Sequence, residues 1–512
     1  MKSRIITVAS PFLISIYPVI FLYSENPGEI RFVELLIPFA YLLGFGLYIF
    51  GSTFFFLRDL SKTSILVSIF LVIFYSYGYL YDAISKFVIG GMNSVYFLIF
   101  VLILYGGIVI LILRRKKSLL PVTTFLNVVA LTLVLISIFN IFFALSTQPI
   151  KSPDNNKIET DGLVDSHARD DLKNSRDIYY IILDRYARAD ILTDVYNFDN
   201  SEFIQFLKHR GFYIVENSYA NYQNTYLSLS SSLNMNYLHN LVKNRGDRAN
   251  NLLALGELLG NFRLWQILKA KGYKYFHFGL GVNRNADFNY VINRTQSNSN
   301  LILDVIYQKS FLWACLSIFD LHRGITEDLV DGYRLVHRER VLYQLEKLQQ
   351  LPKIDGPTFA FAHFLIPHPP YVFEADGKSV SIFEERSRTE EVNYLNQLKY
   401  TNKVIMDLVD ILLNSSARKP IIIIQADEGP YPENYDYKNI LELSSEALKQ
   451  KFGILNALYL PDISNTALYA DMSPVNTFRL VLNLYFGTDF SILPDKEYTL
   501  NDLDITDKVR QR

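Results

Sequence analysis

The sequence is poor in cysteine and has almost no net charge. A single cysteine, Cys315, excludes an intrachain disulfide and any metal cluster built from several thiolates. The 50 basic and 51 acidic residues leave a formal net charge of −1, and no strongly basic stretch occurs outside short loops. Because proteins that bind nucleic acids carry a basic surface, nucleic acid is not expected as a partner.

Apolar residues make up 50% of the chain and are concentrated in its first third. Five long apolar runs occur there, at roughly residues 5–23, 33–57, 64–83, 95–113 and 119–146. The length of each run is close to that of a helix that crosses a bilayer, which needs about 20 residues. Buried helices of a soluble domain would carry more charges, and a cleaved signal peptide would not be followed by further apolar runs. The sequence therefore predicts a five-helix transmembrane domain over residues 1–146.

Positive charges predict the orientation of these helices. They lie before the first run, between the second and third, and between the fourth and fifth: Lys2, Arg4, Arg58, Lys62, Arg114, Arg115, Lys116 and Lys117. The other two loops carry few positive residues. Because short loops rich in lysine and arginine stay in the cytoplasm, we expect a cytoplasmic amino terminus. An odd number of crossings then makes everything after residue 146 extracytoplasmic, in a multi-pass protein of the cell (plasma or inner) membrane.

The remainder of the chain is predicted to be a linker followed by an α/β domain. Residues 147–176 are polar and lack helical or strand periodicity, which is typical of a linker. From residue 177 to 512, helical stretches alternate with strand candidates: IYYIIL (178–183), YKYFHF (273–278), TFAFAHFLI (358–366), IIIIQ (421–425) and NALYL (456–460). Strands that are apolar on both faces favour a mainly parallel central sheet covered by helices on both faces. The predicted fold class is thus a multi-pass α-helical membrane domain followed by this α/β domain.

Two of the predicted strands end in acidic residues. IYYIIL runs into Asp184, and IIIIQA runs into Asp427 and Glu428. Open parallel sheets bind ligands at the carboxyl ends of their strands. Carboxylates packed closely there need a raised pKa, a basic partner or a bound cation. The acids are therefore candidate metal ligands, and a salt-bridged rim with Arg185 or Arg188 as the basic partner is the alternative.

A hydroxyl-rich segment and a histidine loop accompany these acids. NSYANYQNTYLSLSSSLNM (217–235) places Thr225 ahead of several serines, although an ordinary N-capped helix has the same pattern. HFLIPHPPYVF (363–373) places His368 in a proline-rich loop after a strand. His363 lies inside that strand and is expected to be structural.

The order and spacing of these motifs resemble those of the alkaline phosphatase and sulfatase superfamily. The matching segments are IILDRYAR, NTYLSLSSSLN, HPPY and IIIIQADEGP, and the resemblance covers about residues 177–490. The branch that it resembles most contains membrane-anchored lipoteichoic acid synthases and phosphoethanolamine transferases. The resemblance implies that Asp184 and Asp427 bind a metal, that Thr225 is both nucleophile and metal ligand, and that His368 contacts substrate.

Glu428 departs from the pattern of this branch, which usually has histidine between the aspartate and glycine matched by Asp427 and Gly429. The resemblance makes Glu428 a fourth metal ligand, and a carboxylate there favours metals that prefer oxygen. The predicted cofactor is therefore a divalent ion, with manganese, magnesium and zinc all open. Sulfatases use a modified cysteine or serine as nucleophile, so Thr225 disfavours that branch.

The function that the resemblance implies is metal-dependent phosphotransfer at the membrane. A phospho-substituent such as phosphoglycerol or phosphoethanolamine would move from a lipid donor to a cell-envelope glycan or lipid. Thr225 would carry it as a phospho-threonine intermediate, with His368 stabilising the leaving group or donating a proton to it. A sulfatase-like phosphodiesterase or hydrolase that uses water as acceptor is one alternative. A non-catalytic envelope scaffold is the other.

The predicted orientation is testable with reporter fusions. A reporter enzyme that is active only outside the cytoplasm should be active when fused after residue 160, because an odd number of spans precedes that position. It should be inactive when fused after Lys117. Whole-cell reporter activity is the measurement, and the reverse pattern would contradict the predicted orientation.

Overall fold

The computed structural model describes most of the chain. The described residues are 8–25, 35–85, 93–146, 175–242, 256, 258–279, 283, 285–289, 303, 306–307, 309–318, 327–433, 435, 440–501 and 504–509. The chain divides into two compact units. The helical unit comprises Met1–Asn156 and Gln296–Val336, and the α/β unit comprises Lys157–Thr295 and His337–Arg512. Most of the predicted linker, residues 147–174, lies outside the described residues.

Five helices occur where the five membrane spans are predicted. They are α1 (Ala9–Glu25), α2 (Leu36–Leu57), α3 (Leu60–Ser85), α4 (Ser94–Arg114) and α5 (Leu120–Ser146). Helices α2 to α5 are long and apolar enough to cross a bilayer, whereas the described part of α1 is apolar but has 17 residues. Large apolar side chains are exposed along α2, α4 and α5. Because an exposed apolar surface of this extent needs lipid around it, the chain is a membrane protein.

Small and polar residues pack the helical unit. The Ser10 amide donates to Asn127 Oδ1 over 2.7 Å, and the Ser68 hydroxyl donates to Ser10 Oγ over 2.9 Å. A Cβ on Gly46 would meet Ser15 Oγ at 1.9 Å, so glycine at this position allows α1 and α2 to approach closely. Close approach and hydrogen bonds between helices are the main sources of packing energy inside a bilayer.

The remaining elements belong mostly to the α/β unit. The helices are α6 (Ala189–Asp194), α7 (Ser201–His209), α8 (Thr225–Asn234), α9 (Leu238–Val242), α10 (Arg263–Ala270), α11 (Phe311–Ile318), α12 (Glu327–Leu348), α13 (Ile382–Arg386), α14 (Glu390–Ser415), α15 (Ser445–Phe452) and α16 (Pro474–Phe486). The strands are β1 (Ile178–Leu183), β2 (Tyr213–Ile214), β3 (Lys274–Phe278), β4 (Phe288–Asn289), β5 (Thr358–Phe364), β6 (Ile421–Gln425), β7 (Asn456–Tyr459), β8 (Tyr498–Asn501) and β9 (Asp504–Val509). Helix α11 and the first part of α12 fall in the helical unit.

Strands β1 to β7 form one sheet in the order β2-β7-β6-β1-β5-β3-β4. Strands β6, β1, β5, β3 and β4 are parallel, and β7 and β2 add antiparallel pairs at one edge. Every residue of β1, β5 and β6 is buried. This confirms the predicted α/β domain with a mainly parallel sheet, and all five predicted strands are present.

Helices cover both faces of this sheet. Successive residues of a strand point to opposite faces, and β1 divides accordingly between two apolar clusters. Tyr179, Ile181 and Leu183 pack with residues of α12 and α14. Ile178, Tyr180 and Ile182 pack with residues of α8, α10 and α16. Because apolar side chains and helices fill both faces of the sheet, its polar side chains converge at the carboxyl ends of the strands.

Candidate active site

Strand register brings Asp184, His363 and Asp427 to one edge of the sheet. His363 of β5 and Gln425 of β6 both lie opposite Ile182 of β1. Asp184 follows Ile182 by two positions, and Asp427 follows Gln425 by two. Three neighbouring strands therefore deliver two carboxylates and one imidazole to the same point.

The three side chains form a compact group. One ligand atom from each lies within 4.8 Å of the others. His363 Nε2 is 3.1 Å from Asp184 Oδ2 and 3.8 Å from Asp427 Oδ2. Within the described part of the chain, the buried atoms Asp184 Oδ1 and Asp427 Oδ2 have no hydrogen-bond partner. Because buried polar atoms are nearly always paired, two such carboxylate oxygens beside an imidazole fit a divalent cation.

Electrostatics at this group also favour a cation. Burial and the nearby Asp184 carboxylate raise the pKa of Asp427 to about 7. Burial acts in the same direction on Asp184, but the imidazoles of His368 and His363 and the Arg185 guanidinium outweigh it and lower the pKa of Asp184 to about 2. The two carboxylates thus repel each other, and a metal ion would stabilise both in the ionised form.

Thr225 joins this group from α8. It is the first residue of that helix, and the Asn224 side chain caps the helix by accepting a hydrogen bond from the Leu227 amide over 3.1 Å. The Thr225 side chain is half-buried and close enough to the Asp427 carboxylate to offset part of the rise in the pKa of Asp427. A hydroxyl at a helix N-terminus lies where the helix dipole favours negative charge. The hydroxyl-rich segment thus does form an N-capped helix, and the first residue of that helix, the predicted nucleophile, lies beside the acidic group.

Glu428 lies in an ion-pair network outside this group. Its Oε1 is 3.1 Å from Arg185 Nε, and its Oε2 is 2.7 Å from Lys451 Nζ. The Tyr431 ring lies beneath both cations, 3.4 Å from Arg185 Cζ and 4.2 Å from Lys451 Nζ. This arrangement differs from the predicted ligand role of Glu428. Two cations neutralise the carboxylate, whereas His363, expected to be structural, supplies the third side chain of the metal-competent group.

Gly429 and Lys451 show how this network is built. Lys451 is completely buried at the end of α15, and burial lowers the pKa of its ammonium group. The Gly429 amide donates to the Lys451 carbonyl over 2.9 Å, and a Cβ at 429 would lie only 2.2 Å from the Gln450 carbonyl oxygen. Glycine is therefore required for the end of α15 to pack against the turn that carries Glu428. Arg188, the other predicted basic partner, pairs with Asp190 at 2.7 Å.

His368 lies close enough to interact with Asp184. Its Nδ1 contacts the Pro369 carbonyl, and burial lowers the pKa of its ring. Gln397 of α14 fixes the loop by donating to the His368 carbonyl over 2.8 Å and accepting from the Val372 amide over 2.8 Å. The structure thus brings the predicted residues Asp184, Thr225, His368 and Asp427 into one region.

Helix α12 adds a histidine that the sequence analysis missed. His337 is buried, bonds to the Leu365 carbonyl and interacts with His368 and Asp184. Burial lowers the pKa of His337 to about 3, so its ring is neutral. The sequence pattern that could have indicated His337 is a row of polar residues at helical spacing within an amphipathic helix, formed by His337, Arg340 and Gln344. No local signal points to His363 or Lys451, because each contacts its partners only through the tertiary fold.

The fold and the site together define a membrane-anchored α/β enzyme of the alkaline phosphatase superfamily. Residues 176–473 match the family model described as Sulfatase, which is more than half of the chain. The chain belongs to the sulfatase family, and the predicted superfamily is confirmed.

Similar folds occur among solved structures. The C-terminal periplasmic domain of EptC from Escherichia coli is 13% identical, with a TM-score of 0.42 over 66% of this chain and 92% of that chain. A structure of that domain in complex with Zn gives the same values. The integral membrane protein lipooligosaccharide phosphoethanolamine transferase A from Neisseria meningitidis is 12% identical, with a TM-score of 0.40 over 94% of this chain and 95% of that chain. Comparison with curated proteins gives no match.

The buried ion pair between Lys451 and Glu428 should be important for stability. Lys451→Met should lower the free energy of unfolding by about 3 kcal/mol, because it removes one of two cations from a buried carboxylate. The double variant Lys451→Met, Glu428→Gln should recover part of the loss, since the buried carboxylate that lacks a cation is gone, while Arg185 loses its partner at 3.1 Å. Urea unfolding in detergent, followed by the fluorescence of buried Trp265 in a Trp313→Phe background, measures the effect.

The matched control is Lys208→Met on the exposed face of α7, which should change stability by no more than about 0.5 kcal/mol. If Lys451→Met is as stable as this control, the ion pair does not stabilise the site.

Proposed function

We propose that the protein transfers a phospho-substituent of the phosphoglycerol or phosphoethanolamine type from a lipid donor to a cell-envelope glycan or lipid, through a phospho-threonine at Thr225. The observation that carries the proposal is the position of Thr225, at the start of α8 and beside the Asp427 carboxylate of the acidic group. Membership of the sulfatase family supports an enzyme. Threonine supports phosphotransfer over sulfate ester hydrolysis, which uses a modified cysteine or serine in the branch that the sequence resembles least.

Asp184, His363 and Asp427 would hold the divalent cation, with the Thr225 oxygen beside them. When bound, the cation supplies positive charge that favours the threonine alkoxide and polarises a phosphoryl oxygen. A set of two carboxylates and one imidazole suits zinc or manganese. Magnesium is less suited, because it prefers oxygen ligands alone. Glu428 is assigned to charge balance with Arg185 and Lys451 in place of metal binding.

The protein's own groups orient the nucleophile and move the proton. In the first half of the reaction, the Thr225 oxygen bonds to phosphorus as the bond from phosphorus to the alcohol oxygen of the lipid donor breaks. Asp427, which lies beside Thr225, takes the hydroxyl proton and passes it to the lipid alcohol that leaves. Burial lowers the pKa of the His368 ring and so favours its neutral form, and its Nδ1 contacts the Pro369 carbonyl. Its Nε2 is then an acceptor. In the second half of the reaction it takes the proton of the acceptor hydroxyl as that oxygen bonds to phosphorus and the Thr225 oxygen leaves.

Attachment to the membrane supports a lipid donor. The α/β unit is covalently joined to the membrane helices, which raises the effective concentration of lipid head groups around it. We place the amino terminus in the cytoplasm and the α/β unit outside it, as the distribution of positive charge favours. Acceptor glycans and lipids of the envelope lie on that side.

The phospho-threonine is testable by mass spectrometry. Full-length protein in detergent, supplied with manganese or zinc and a phospholipid donor but no acceptor, should gain the mass of one phospho-substituent on the peptide that contains Thr225. Added envelope glycan should remove the adduct, because it supplies the acceptor hydroxyl. Thr225→Val, which keeps the shape but lacks the hydroxyl, should show neither adduct nor turnover while remaining folded.

Two results would contradict the proposal. Steady release of free head group with water alone, unaffected by glycan, would make the protein a hydrolase that uses the same site. Neither adduct nor turnover in folded wild-type protein, across both types of donor, would favour the non-catalytic scaffold.

A further inference from the structure

Helix α11 lies far along the chain but packs on membrane helices. It is flanked in sequence by the two parts of the α/β unit, yet it belongs to the helical unit. Phe311 meets the Tyr77 ring of α3 edge to face at 5.4 Å. Phe311 and Cys315 pack against a cluster that includes Phe97 and Leu98 of α4. One face of α11 thereby packs against α3 and α4.

Polar contacts fix the residues that precede α11. Lys309 Nζ is 2.6 Å from Asp82 Oδ2, and the Lys309 carbonyl accepts a hydrogen bond from the Gly78 amide over 2.9 Å. A Cβ at position 78 would lie 2.9 Å from Lys309 Cα. Glycine at position 78 thus allows direct backbone contact between α3 and this segment.

These contacts lie near one end of α3 and α4. Tyr77 and Asp82 are in the last turns of α3, whose described part ends at Ser85, and Phe97 is in the first turn of α4. At 1.5 Å of rise per residue, all of them lie within about 12 Å of the helix ends. Interfacial helices bury their apolar face to a depth of about 5–10 Å in a membrane, so α11 lies at a comparable depth.

The same end of the bundle is rich in tyrosine and tryptophan. Tyr79 of α3 is 49% exposed and Tyr96 of α4 is 73% exposed. Trp313 of α11 meets the Tyr307 ring edge to face at 5.6 Å. Tyrosine and tryptophan are enriched where a membrane meets water. This aromatic belt, made by Tyr79, Tyr96, Tyr307 and Trp313, marks the level of the lipid head groups.

Helix α11 and its neighbour α4 both expose apolar side chains. The helix, FLWACLSI, contains no charged residue. Leu312 is 44% exposed, and on α4 the side chains of Phe100 and Ile103 are 58% and 70% exposed. An uncharged helix beside such a surface, at the level of an aromatic belt, has the features of a segment immersed in lipid.

We propose that α11 is an interfacial helix, with Leu312 and Trp313 inserted at the boundary between lipid head groups and acyl chains. Lipid is the partner of this surface because α11 packs on α3 and α4, two helices long and apolar enough to cross a bilayer, near the ends of both. The inference depends on the membrane helices and is independent of the transferase activity.

The two tryptophans of the chain make the test direct. Trp265 is 2% exposed inside the α/β unit. Trp265→Phe therefore leaves Trp313 as the reporter, and Trp313→Phe leaves Trp265 as the matched control. Both full-length variants are placed in phosphatidylcholine nanodiscs that contain lipids with a nitroxide on an upper acyl carbon. Trp313 emission should be quenched at least about threefold more than Trp265 emission, because the nitroxide lies at the depth proposed for α11.

Acyl chains labelled near the bilayer centre should quench Trp313 less than chains labelled near the head group. Equal quenching of the two tryptophans by lipid would overturn the proposal. Trp313 that is quenched only by aqueous acrylamide would show that the face lies in water. Trp313 shielded from both quenchers would show that a second copy or another protein covers it. If Trp265→Phe does not fold, the difference between wild type and Trp313→Phe gives the quenching of Trp313.

Discussion

Two carboxylates held at the ends of adjacent buried strands are the constraint on which the site depends. Asp184 and Asp427 cannot separate, because β1 and β6 are hydrogen-bonded in fixed register and every residue of both strands is buried. The repulsion between the two carboxylates must be offset by groups that lie next to them. The imidazole of His363 from β5 and the side chain of Thr225 from α8 converge on them, so the same constraint that costs stability assembles a metal-competent group beside the proposed nucleophile.

Charge balance around this group explains the position of Glu428. Arg185 and Lys451 bring two positive charges to the edge of the site, and the Glu428 carboxylate lies between them. A buried ion pair contributes little net stability, but a buried charge without its partner is strongly destabilising. The Glu428 carboxylate is therefore balanced by two cations of its own. An acidic residue at this position is compatible with a metal site because a neighbouring strand supplies the imidazole.

Features encoded locally could be predicted from the sequence, and features that depend on tertiary contacts could not. The apolar runs predicted the membrane helices. Buried strands such as IIIIQ, which are followed by acidic residues, predicted the sheet and the positions of Asp184 and Asp427 at its edge. His363 was missed because its role follows from the register between β5 and β1, which no local pattern encodes. In the sequence, Lys451 cannot be distinguished from an exposed helix lysine, because its burial depends on the packing of α15 against Gly429. Helix α11 is too short to be recognised as a membrane segment by hydropathy.

The central claim is that Asp184, His363 and Asp427 hold a divalent cation while Glu428 does not. The most direct test is the metal content of full-length protein in detergent, measured by mass spectrometry after exposure to zinc or manganese and removal of excess ion. We expect about one ion per chain in wild type and in Glu428→Gln. We expect loss of that ion in His363→Gln and in Asp427→Asn, each checked for folding by circular dichroism. Loss of the ion in Glu428→Gln with full retention in His363→Gln would contradict the account.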